Sequence, residues 1–383
     1  MTSITCGSNV DHVLTRAAAA GVAAVLVSVA LGACSDDEEP TSASDVAPST
    51  SSTSASAGGI ESVVANREAD EPGCAVGVAD EGESEIAVFG LADVESARPI
   101  DETTLFDIGS VSKQFTASVV LGLVDDGVLT PADTVASWLP DVTGPAGDVT
   151  IEQLLHHRSG IPDYTNRLLQ NGLSLESEAT QADAIESVAV TPLDFAPGSR
   201  FSYSNTNYVL LAEIAQRAGG EPFVDLVAAR VLEPAGMSTA FVHDYSATPA
   251  PMATSYEPGP GDDFVALIWR WTQVGDGAIH ASVTDMLAWG RYLLEPQSST
   301  PLVSRLAAGS EPVSDGNLDS YGAGVFVTEL EGRPVVEHRG EWQGFVTYFA
   351  VVPDDGLTVT ALCNRTDADP RRLAVDALDA WSA

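Results

Sequence analysis

Residues 110–124, SVSKQFTASVVLGLV, combine a helical pattern with two reactive side chains, and the rest of the fold can be built outward from them. The apolar positions 111, 115, 119, 120 and 123 lie close to one face, so the stretch predicts a helix. Ser110 and Lys113 stand at its start, three residues apart and therefore one turn apart on the same face. Lys113 is also the only lysine among the 383 residues.

This serine–lysine pair is suited to nucleophilic catalysis. A nucleophilic serine needs an amine that eases the loss of its proton and donors that hold the resulting oxyanion. The N-terminus of a helix supplies such donors as unpaired backbone N–H groups. The alternative is a capping Ser110 beside an unrelated Lys113, and Ser-x-x-Lys alone is a weak signal because serine is common.

Strand patterns lie on both sides of a long helical region. Residues 73–110 predict a hairpin around the polar turn 80–83, and residues 111 to about 310 are dominated by helical signals. Strand patterns return over 320–364, and a helix follows Pro370. The predicted fold class is therefore α+β, with an antiparallel sheet formed by the N- and C-terminal strands, flanking helices, and a mostly helical inserted domain. The elements expected are helices over 111–124, 207–217, 223–232 and 282–294, and strands over 321–328, 334–338, 344–352 and 357–363.

Composition and charge narrow the function classes. The chain carries 55 acidic and 17 basic residues, a net charge of −38, which would repel nucleic acid. No His-x-x-x-His or Cys-x-x-Cys pair is present, and His156-His157 is interpreted as structural, so we expect neither a metal nor another cofactor. Trp269 and Trp271 are interpreted as packing residues, with the lining of an apolar substrate site as the alternative.

The N-terminal segment predicts export and lipid anchoring. Residues 17–33 form an uninterrupted run of small and apolar side chains, short for a membrane span but typical of a signal-peptide core. The run ends at Leu31-Gly32-Ala33-Cys34, which resembles a bacterial lipobox and implies a lipidated Cys34. An uncleaved transmembrane anchor is the alternative. The predicted domains are a signal peptide (1–33), a lipidated cysteine with a Ser/Thr/Ala-rich tether (34–59) and a folded domain (60–383).

Two cysteines remain for the folded domain, Cys74 and Cys363. Each lies in a strand-like stretch, one near each end of the domain. An oxidising compartment favours a disulfide between them, and two separate buried thiols are the equally weighted alternative.

Two further motifs follow the serine–lysine pair. Tyr203-Ser204-Asn205 precedes a predicted helix, and His338-Arg339-Gly340 ends a predicted strand. Ser-x-x-Lys, Tyr-x-Asn and His-x-Gly, in this order, resemble the three motifs of the penicillin-recognising serine hydrolases. The resemblance is to the branch with class C β-lactamases, serine D-Ala-D-Ala carboxypeptidases, D-aminopeptidases and related esterases, and it covers about residues 60–380. Supporting stretches are 154–162, 275–278 and 321–324.

The resemblance implies a role for each matching residue. Ser110 would be the acylated nucleophile, and Lys113 would assist its deprotonation. Tyr203 would pass a proton to the leaving group and later activate water, and Asn205 would bind Lys113 and the substrate amide. An ordinary lysine is charged at neutral pH. Lys113 would therefore either become neutral through burial beside Tyr203 or stay charged and stabilise a tyrosinate.

The third motif implies the opposite wall of the cleft. His338 and Gly340 would lie along that wall as substrate-binding residues, and the backbone N–H groups of Ser110 and Glu341 would form the oxyanion hole. Dedicated class C β-lactamases usually carry Lys-Thr-Gly here, and that lysine holds the substrate carboxylate. His338 would do so only when protonated, in which case kcat/KM for an anionic substrate falls as pH rises through about 6–7.

The sequence thus predicts an extracytoplasmic, membrane-anchored serine hydrolase that acts through an acyl-enzyme on Ser110. Expected substrates are a small peptide, amide, ester or β-lactam, handled by a carboxypeptidase, aminopeptidase or esterase type of site. Contact with the membrane would be through the lipid alone, and the sequence leaves the oligomeric state open. The alternatives are a true class C-like β-lactamase and a non-catalytic binding or sensor lipoprotein of the same fold.

Overall fold

A computed structural model describes residues 59–243, 252–261, 263–296, 300–313 and 320–383. The predicted signal peptide, Cys34 and the tether up to residue 58 lie outside the described residues. In the described part, no helix has the length and apolar character needed to cross a membrane.

Strands dominate both ends of the described chain, and most helices lie between them. The strands are β1 (Cys74–Ala79), β2 (Ser84–Phe89), β3 (Leu91–Asp93), β4 (Arg98–Pro99), β5 (Phe106–Asp107), β6 (Phe241–Val242), β7 (Tyr256–Pro258), β8 (Phe264–Ala266), β9 (Ile279–Ala281), β10 (Glu311–Pro312), β11 (Ser320–Tyr321), β12 (Phe326–Leu330), β13 (Arg333–Trp342), β14 (Phe345–Val352) and β15 (Leu357–Cys363). The α-helices are α1 (Glu61–Val64), α2 (Lys113–Asp125), α3 (Val135–Trp138), α4 (Ile151–Leu155), α5 (Tyr164–Gln170), α6 (Gln181–Val188), α7 (Thr206–Gly219), α8 (Phe223–Val227), α9 (Val283–Leu294), α10 (Leu302–Ala307) and α11 (Pro370–Trp381). Short 3₁₀ helices span Gly109–Ser112 and Gly144–Ala146, and a π-helix spans Ala228–Leu232.

The main sheet joins the two ends of the folded domain. Its strand order is β10-β11-β12-β13-β14-β15-β1-β2, and every neighbouring pair is antiparallel. The first strand, β1, therefore lies between the last strand, β15, and its hairpin partner β2. This topology confirms the predicted α+β fold with a sheet shared by both ends of the domain.

Helices cover both faces of this sheet. Helix α9 packs against β1 and β15 on one face, and α11 packs against the same strands on the other. All six residues of β1 are buried as a result, which explains why its sequence is apolar or small at every position.

The inserted region between β5 and β9 is mostly helical, as predicted. Its central helix α2 packs against α7, and the Phe115 ring stacks on Trp289 of α9 at 4.4 Å between centroids. The turn that precedes α2 lies against β13 of the sheet. A cleft therefore lies between the helical region and β13.

Cys74 and Cys363 are directly paired residues of β1 and β15, and the structure joins them by a disulfide. The bond links positions 289 residues apart. Of the two possibilities that the sequence leaves open, the structure has the disulfide rather than two separate thiols.

Candidate active site

Ser110 lies in a tight turn rather than on the helix itself. The predicted helix over 111–124 starts two residues too early, because Gly109–Ser112 form a 3₁₀ turn and α2 begins at Lys113. Gly109 has a φ of 54°, a left-handed conformation that favours glycine, and its N–H donates to Asp107 Oδ1 at 2.8 Å. The turn leaves the Ser110 side chain half-buried at the cleft while α2 runs back into the core.

The Lys113 amine is fully buried among three oxygen atoms. Its Nζ lies 3.0 Å from Ser110 Oγ, 2.8 Å from Asn205 Oδ1 and 2.7 Å from the backbone carbonyl oxygen of Asp276. The oxygens of Asn205 and Asp276 only accept, so they take two N–H donors whichever form the amine has. In the neutral form the remaining lone pair faces the Ser110 hydroxyl, which is the arrangement a general base requires.

Tyr203 lies beside this group at the entrance to α7. Its ring centroid is 5.1 Å from Lys113 Nζ, and its side chain is half-buried. The following Asn205 is fixed from its backbone, because its N–H donates to Asp163 Oδ2 at 2.7 Å. The structure thus brings the Ser110–Lys113 pair together with Tyr203 and Asn205, which lie about 90 residues later in the sequence.

His157 supports the Tyr203 ring from behind. Its fully buried imidazole lies 4.2 Å from the Tyr203 ring between centroids. Its Nδ1 accepts hydrogen bonds from the Ser204 N–H at 3.2 Å and from Asn207 Nδ2 at 2.8 Å. Burial and the charge of Lys113 hold the pKa of His157 well below its ordinary value, so the ring is neutral. His157 thus positions Tyr203, and the neighbouring His156 Nδ1 lies 2.9 Å from the Glu152 carbonyl oxygen.

His338 lies across the cleft and is buried. Its Nδ1 lies 2.6 Å from the Arg339 carbonyl oxygen, so Nδ1 carries a proton and donates it to that oxygen. Burial and the nearby charge of Lys113 lower the pKa of His338 to about 3. The ring is therefore neutral at physiological pH in this structure, and a protonated His338 that holds a substrate carboxylate stays a prediction.

Glycine at the third motif allows β13 to reach the Ser110 turn. A Cβ atom on Gly340 would lie 2.0 Å from the Ile108 carbonyl oxygen, and one on Gly109 would lie 2.7 Å from Glu341 N. The backbones of the turn and of β13 are thus in direct contact. This contact brings the backbones of Ser110 and Glu341, the predicted oxyanion-hole residues, to the border of the same cavities.

Two cavities meet at Ser110 and Glu341. The larger, about 820 Å³, runs along β13 and includes Tyr203, His338 and Arg339. The smaller, about 50 Å³, lies on the other side of Ser110. Its lining combines aromatic, amide and acidic side chains, among them Tyr164, Asn205, Trp271, Gln273, Asp276 and Trp342.

Sequence reasoning missed the acidic groups of this site. Asp276 and Asp107 are buried, and burial raises their pKa values to about 6 and about 7, respectively. The Asp276 carboxylate accepts a hydrogen bond from the Tyr164 hydroxyl at 3.0 Å. Residues 275–278 support the family resemblance, but nothing in the local sequence indicates that the Asp276 backbone touches Lys113.

Trp271 combines the two roles that the sequence leaves as alternatives, packing and the lining of a site. It is buried, and its ring borders the smaller cavity beside Tyr164 and Trp342. Trp269 packs edge-on against Phe345, as expected. Within the described ranges, no group of three or more His, Cys, Asp or Glu side chains is placed to hold a metal ion.

The fold and the site together define a class of protein. Three features are those of an active-site serine hydrolase. They are a helical region on an antiparallel sheet, a turn that places Ser110 beside the buried Lys113, and an opposite wall formed by β13. A family model described as β-lactamase matches residues 60–380. The chain belongs to the β-lactamase family.

Similar proteins include peptidases and amidases. The chain is 31% identical to a D-aminopeptidase of Gluconobacter oxydans over 78% of its own length and 56% of that relative, so it spans little more than half of the relative. Two solved structures share the fold: a penicillin-binding protein of Bacillus halodurans and a D-amino acid amidase of Ochrobactrum anthropi. The first has a TM-score of 0.73 at 24% identity, covering 84% of this chain and 98% of that one. The second has a TM-score of 0.72 at 21% identity, covering 84% and 96%.

Proposed function

We propose that this serine hydrolase cleaves amide bonds of small D-amino-acid amides or peptides, through an acyl-enzyme on Ser110. The observation that carries the proposal is the position of Lys113 Nζ, 3.0 Å from Ser110 Oγ and held by two acceptor oxygens. This geometry gives Ser110 a buried amine as its proton acceptor.

The acylation step follows from the positions of these groups. With Lys113 in its neutral form, Ser110 Oγ attacks the carbonyl carbon of the substrate while the Ser110 proton passes to Lys113 Nζ. The tetrahedral oxyanion accepts hydrogen bonds from the backbone N–H groups of Ser110 and Glu341, and each such donor contributes about 3–4 kcal/mol of transition-state stabilisation. The C–N bond then breaks as the leaving nitrogen receives a proton by way of Tyr203.

Deacylation reverses the proton path with water as the nucleophile. The water oxygen attacks the acyl carbon, and its proton passes through Tyr203 and Lys113. The bond between the acyl carbon and Ser110 Oγ breaks, and Oγ recovers the proton. The product is a carboxylic acid, and the protein returns to its starting state.

The neutral state of His338 supports an amidase or aminopeptidase rather than a carboxypeptidase or β-lactamase. Substrates of the last two types carry a carboxylate near the scissile bond, and a cationic side chain on this wall would hold it. His338 is buried and neutral here, with its pKa lowered to about 3, so a substrate carboxylate in the larger cavity would have to pair with Arg339 or Arg371, which also border it. The D-aminopeptidase relative points to the same choice.

The direct test uses the full-length protein with D-phenylalanine amide, L-phenylalanine amide and a short-chain activated ester. We expect turnover of the D-amide, a strong preference over the L-amide, and loss of turnover by at least about 10³-fold in Ser110→Ala. The exposed Ser137→Ala variant is the matched control. Equal rates on both enantiomers would contradict D-specificity.

Two outcomes would favour the alternative functions. Rapid hydrolysis of a cephalosporin that depends on Ser110 would identify a class C-like β-lactamase. No turnover of any amide or ester, together with no acyl adduct after incubation with a penicillin, would indicate a binding or sensor protein. Intact-mass spectrometry of the wild type beside Ser110→Ala detects the adduct.

We also propose that the protein acts outside the cytoplasm, anchored by a lipid on Cys34. The lipobox-like Leu31-Gly32-Ala33-Cys34 and the preceding apolar run support this location. Metabolic labelling with an alkyne fatty acid should mark the wild type but not Cys34→Ala. Unlabelled wild-type protein in the cytosolic fraction would overturn the proposal.

A further inference from the structure

The smaller cavity has a chemical character that the proposed reaction does not use. It opens beside Ser110 and is bordered by three aromatic side chains, Tyr164, Trp271 and Trp342. Trp271 lies 6.1 Å from each of the other two rings between centroids, so the rings form one continuous wall. Such a wall attracts cations through the electron-rich faces of the rings.

A buried carboxylate shares this cavity. Asp276 is only 9% exposed, and its Oδ2 accepts from the Tyr164 hydroxyl at 3.0 Å. Lys113 contacts the backbone oxygen of Asp276, and in the described part of the chain no ion pair to the Asp276 carboxylate occurs. A buried carboxylate without a directly bonded cation is costly, so a cationic ligand group gains more there than in water.

The position of the cavity indicates which part of a substrate enters it. Tyr203, which would protonate the leaving nitrogen, borders the larger cavity and not the smaller one. The leaving group therefore occupies the larger cavity, and the acyl part of the substrate faces Asp276. The net charge of −38 adds a long-range field that attracts cationic ligands and repels anionic ones.

We propose that the smaller cavity is an ammonium subsite, in which Asp276 and the aromatic wall bind the primary ammonium group of the acyl residue. This inference rests on the proposed function and specifies its substrate class as amides and peptides with an unblocked N-terminal amine. Its size agrees, because about 50 Å³ accommodates a small polar group rather than a second peptide unit.

The test measures binding and does not require turnover. The full-length Ser110→Ala protein is titrated by calorimetry with D-phenylalaninol, an ammonium ligand, and with (R)-3-phenylpropane-1,2-diol, which has a hydroxyl in place of the amine. The measurement is made at about pH 7, where an α-amino group is mostly protonated and Asp276, with its pKa near 6, is mostly ionised. We expect the ammonium ligand to bind at least about tenfold more tightly.

Two second-site variants separate ligand binding from a structural role. Asp276→Asn keeps the shape and the backbone contact with Lys113 but removes the charge, so the ammonium preference should disappear. Ser137→Ala, a change at an exposed position outside both cavities, is the control, and the preference should remain unchanged in it. Equal affinities for both ligands in Ser110→Ala, or a preference that survives Asp276→Asn, would overturn the subsite.

Failure of the subsite and failure of the proposed function remain distinguishable. Selective ammonium binding without any amide turnover would support the ammonium subsite and contradict the proposed amidase activity. If D-phenylalanine amide and its N-acetyl derivative are hydrolysed with similar kcat/KM, the result supports the proposed amidase activity and contradicts the ammonium subsite. If Asp276→Asn does not fold, the comparison of the two ligands in Ser110→Ala alone decides.

Discussion

At the residue scale, the main feature of the cleft is the buried Lys113 amine and its three hydrogen-bond partners. Its amine is shielded from water and held by Asn205 and the Asp276 backbone. Within the described part of the chain, its third hydrogen-bond partner is Ser110 Oγ. This position supports the proposed role of the amine in proton transfer and excludes a surface role.

Replacing Lys113 tests this assignment. Lys113→Met keeps the length of the side chain but removes the proton acceptor, so kcat/KM for an activated ester should fall by about 10²–10⁴. Stopped-flow or steady-state assays on the wild type and variant measure the loss. Arg333→Met, a change at a surface arginine, serves as the control. A loss of less than about tenfold with an intact fold would exclude Lys113 as the base.

The protonation state of His338 gives a second prediction. Because burial lowers its pKa to about 3, the ring should stay neutral from pH 8 down to about pH 4. Two-dimensional ¹H–¹⁵N spectra of the imidazole nitrogens report this state, with His338→Asn as the assignment control. A titration of the His338 signal between pH 6 and 7 would contradict this expectation and support a protonated, carboxylate-binding ring.

At the element scale, the decisive contact is between β13 and the Ser110 turn. Thr347 of β14 also takes part, because its hydroxyl donates to the Ile108 carbonyl oxygen at 2.9 Å. Gly340 leaves space for both neighbours, since a Cβ atom there would lie 2.0 Å from that carbonyl and 2.2 Å from Thr347 Oγ1. The strand and the turn are therefore held at a spacing that only glycine permits.

The Gly340→Ala variant should separate the strand from the turn. We expect kcat/KM on an activated ester to fall by about 10²-fold or more, because the Glu341 N–H moves away from the oxyanion. Gly82→Ala is the matched control, since its added Cβ would come no nearer than 3.8 Å to another atom. Wild-type activity in Gly340→Ala would show that β13 does not contribute to the oxyanion hole.

At the scale of the whole molecule, the shared sheet connects the beginning and end of the folded domain. Strand β1 hydrogen-bonds to β15 along its whole length, and the Cys74–Cys363 disulfide closes this pairing at one end. A covalent link across so long a segment restricts the unfolded chain.

Removing this disulfide should lower the stability of the whole domain. For the Cys74→Ala/Cys363→Ala variant we expect a decrease of about 2–5 kcal/mol in the free energy of unfolding. Urea unfolding followed by tryptophan fluorescence measures it, and the wild type with added reductant is a second route to the same state. An unchanged midpoint in both would show that the link contributes nothing to stability.

The free energy of unfolding should also depend on pH, because buried histidines and buried aspartates change it in opposite directions. His157, His280 and His338 have lowered pKa values, so between about pH 4 and 6 the unfolded chain binds protons that the folded chain does not. Asp107 and Asp276 have raised pKa values and act in the opposite sense. Three histidines outweigh two aspartates, so the free energy of unfolding should rise from pH 4 to pH 6. A fall over that range in urea titrations would contradict these assignments.

Features that depend on near neighbours could be predicted from the sequence alone. The period of apolar residues located α9 and β15, and the predicted start of α9 at residue 282 lies within one residue of the observed start. In the structure, Ser282 and Asp285 form a capping box at this end of the helix. The spacing of Ser110 and Lys113 placed both side chains one turn apart, whether or not the turn is part of the helix. These features are local, so a single stretch of sequence contains the information.

Features that join distant residues arose only when the chain folded. The predicted strand over 321–328 is divided, because residues 322–325 form a turn that pairs β11 with β12 as an antiparallel hairpin. In this turn the Gly322 N–H donates to the Val325 carbonyl oxygen at 2.9 Å, and Gly324 has a φ of 75°. The Cys74–Cys363 pairing and the neutral state of His338 likewise arise from packing across the sheet and cleft. Asp276 reaches Lys113 across 163 residues of chain. Burial and long-range contact set these properties, and no local pattern encodes them.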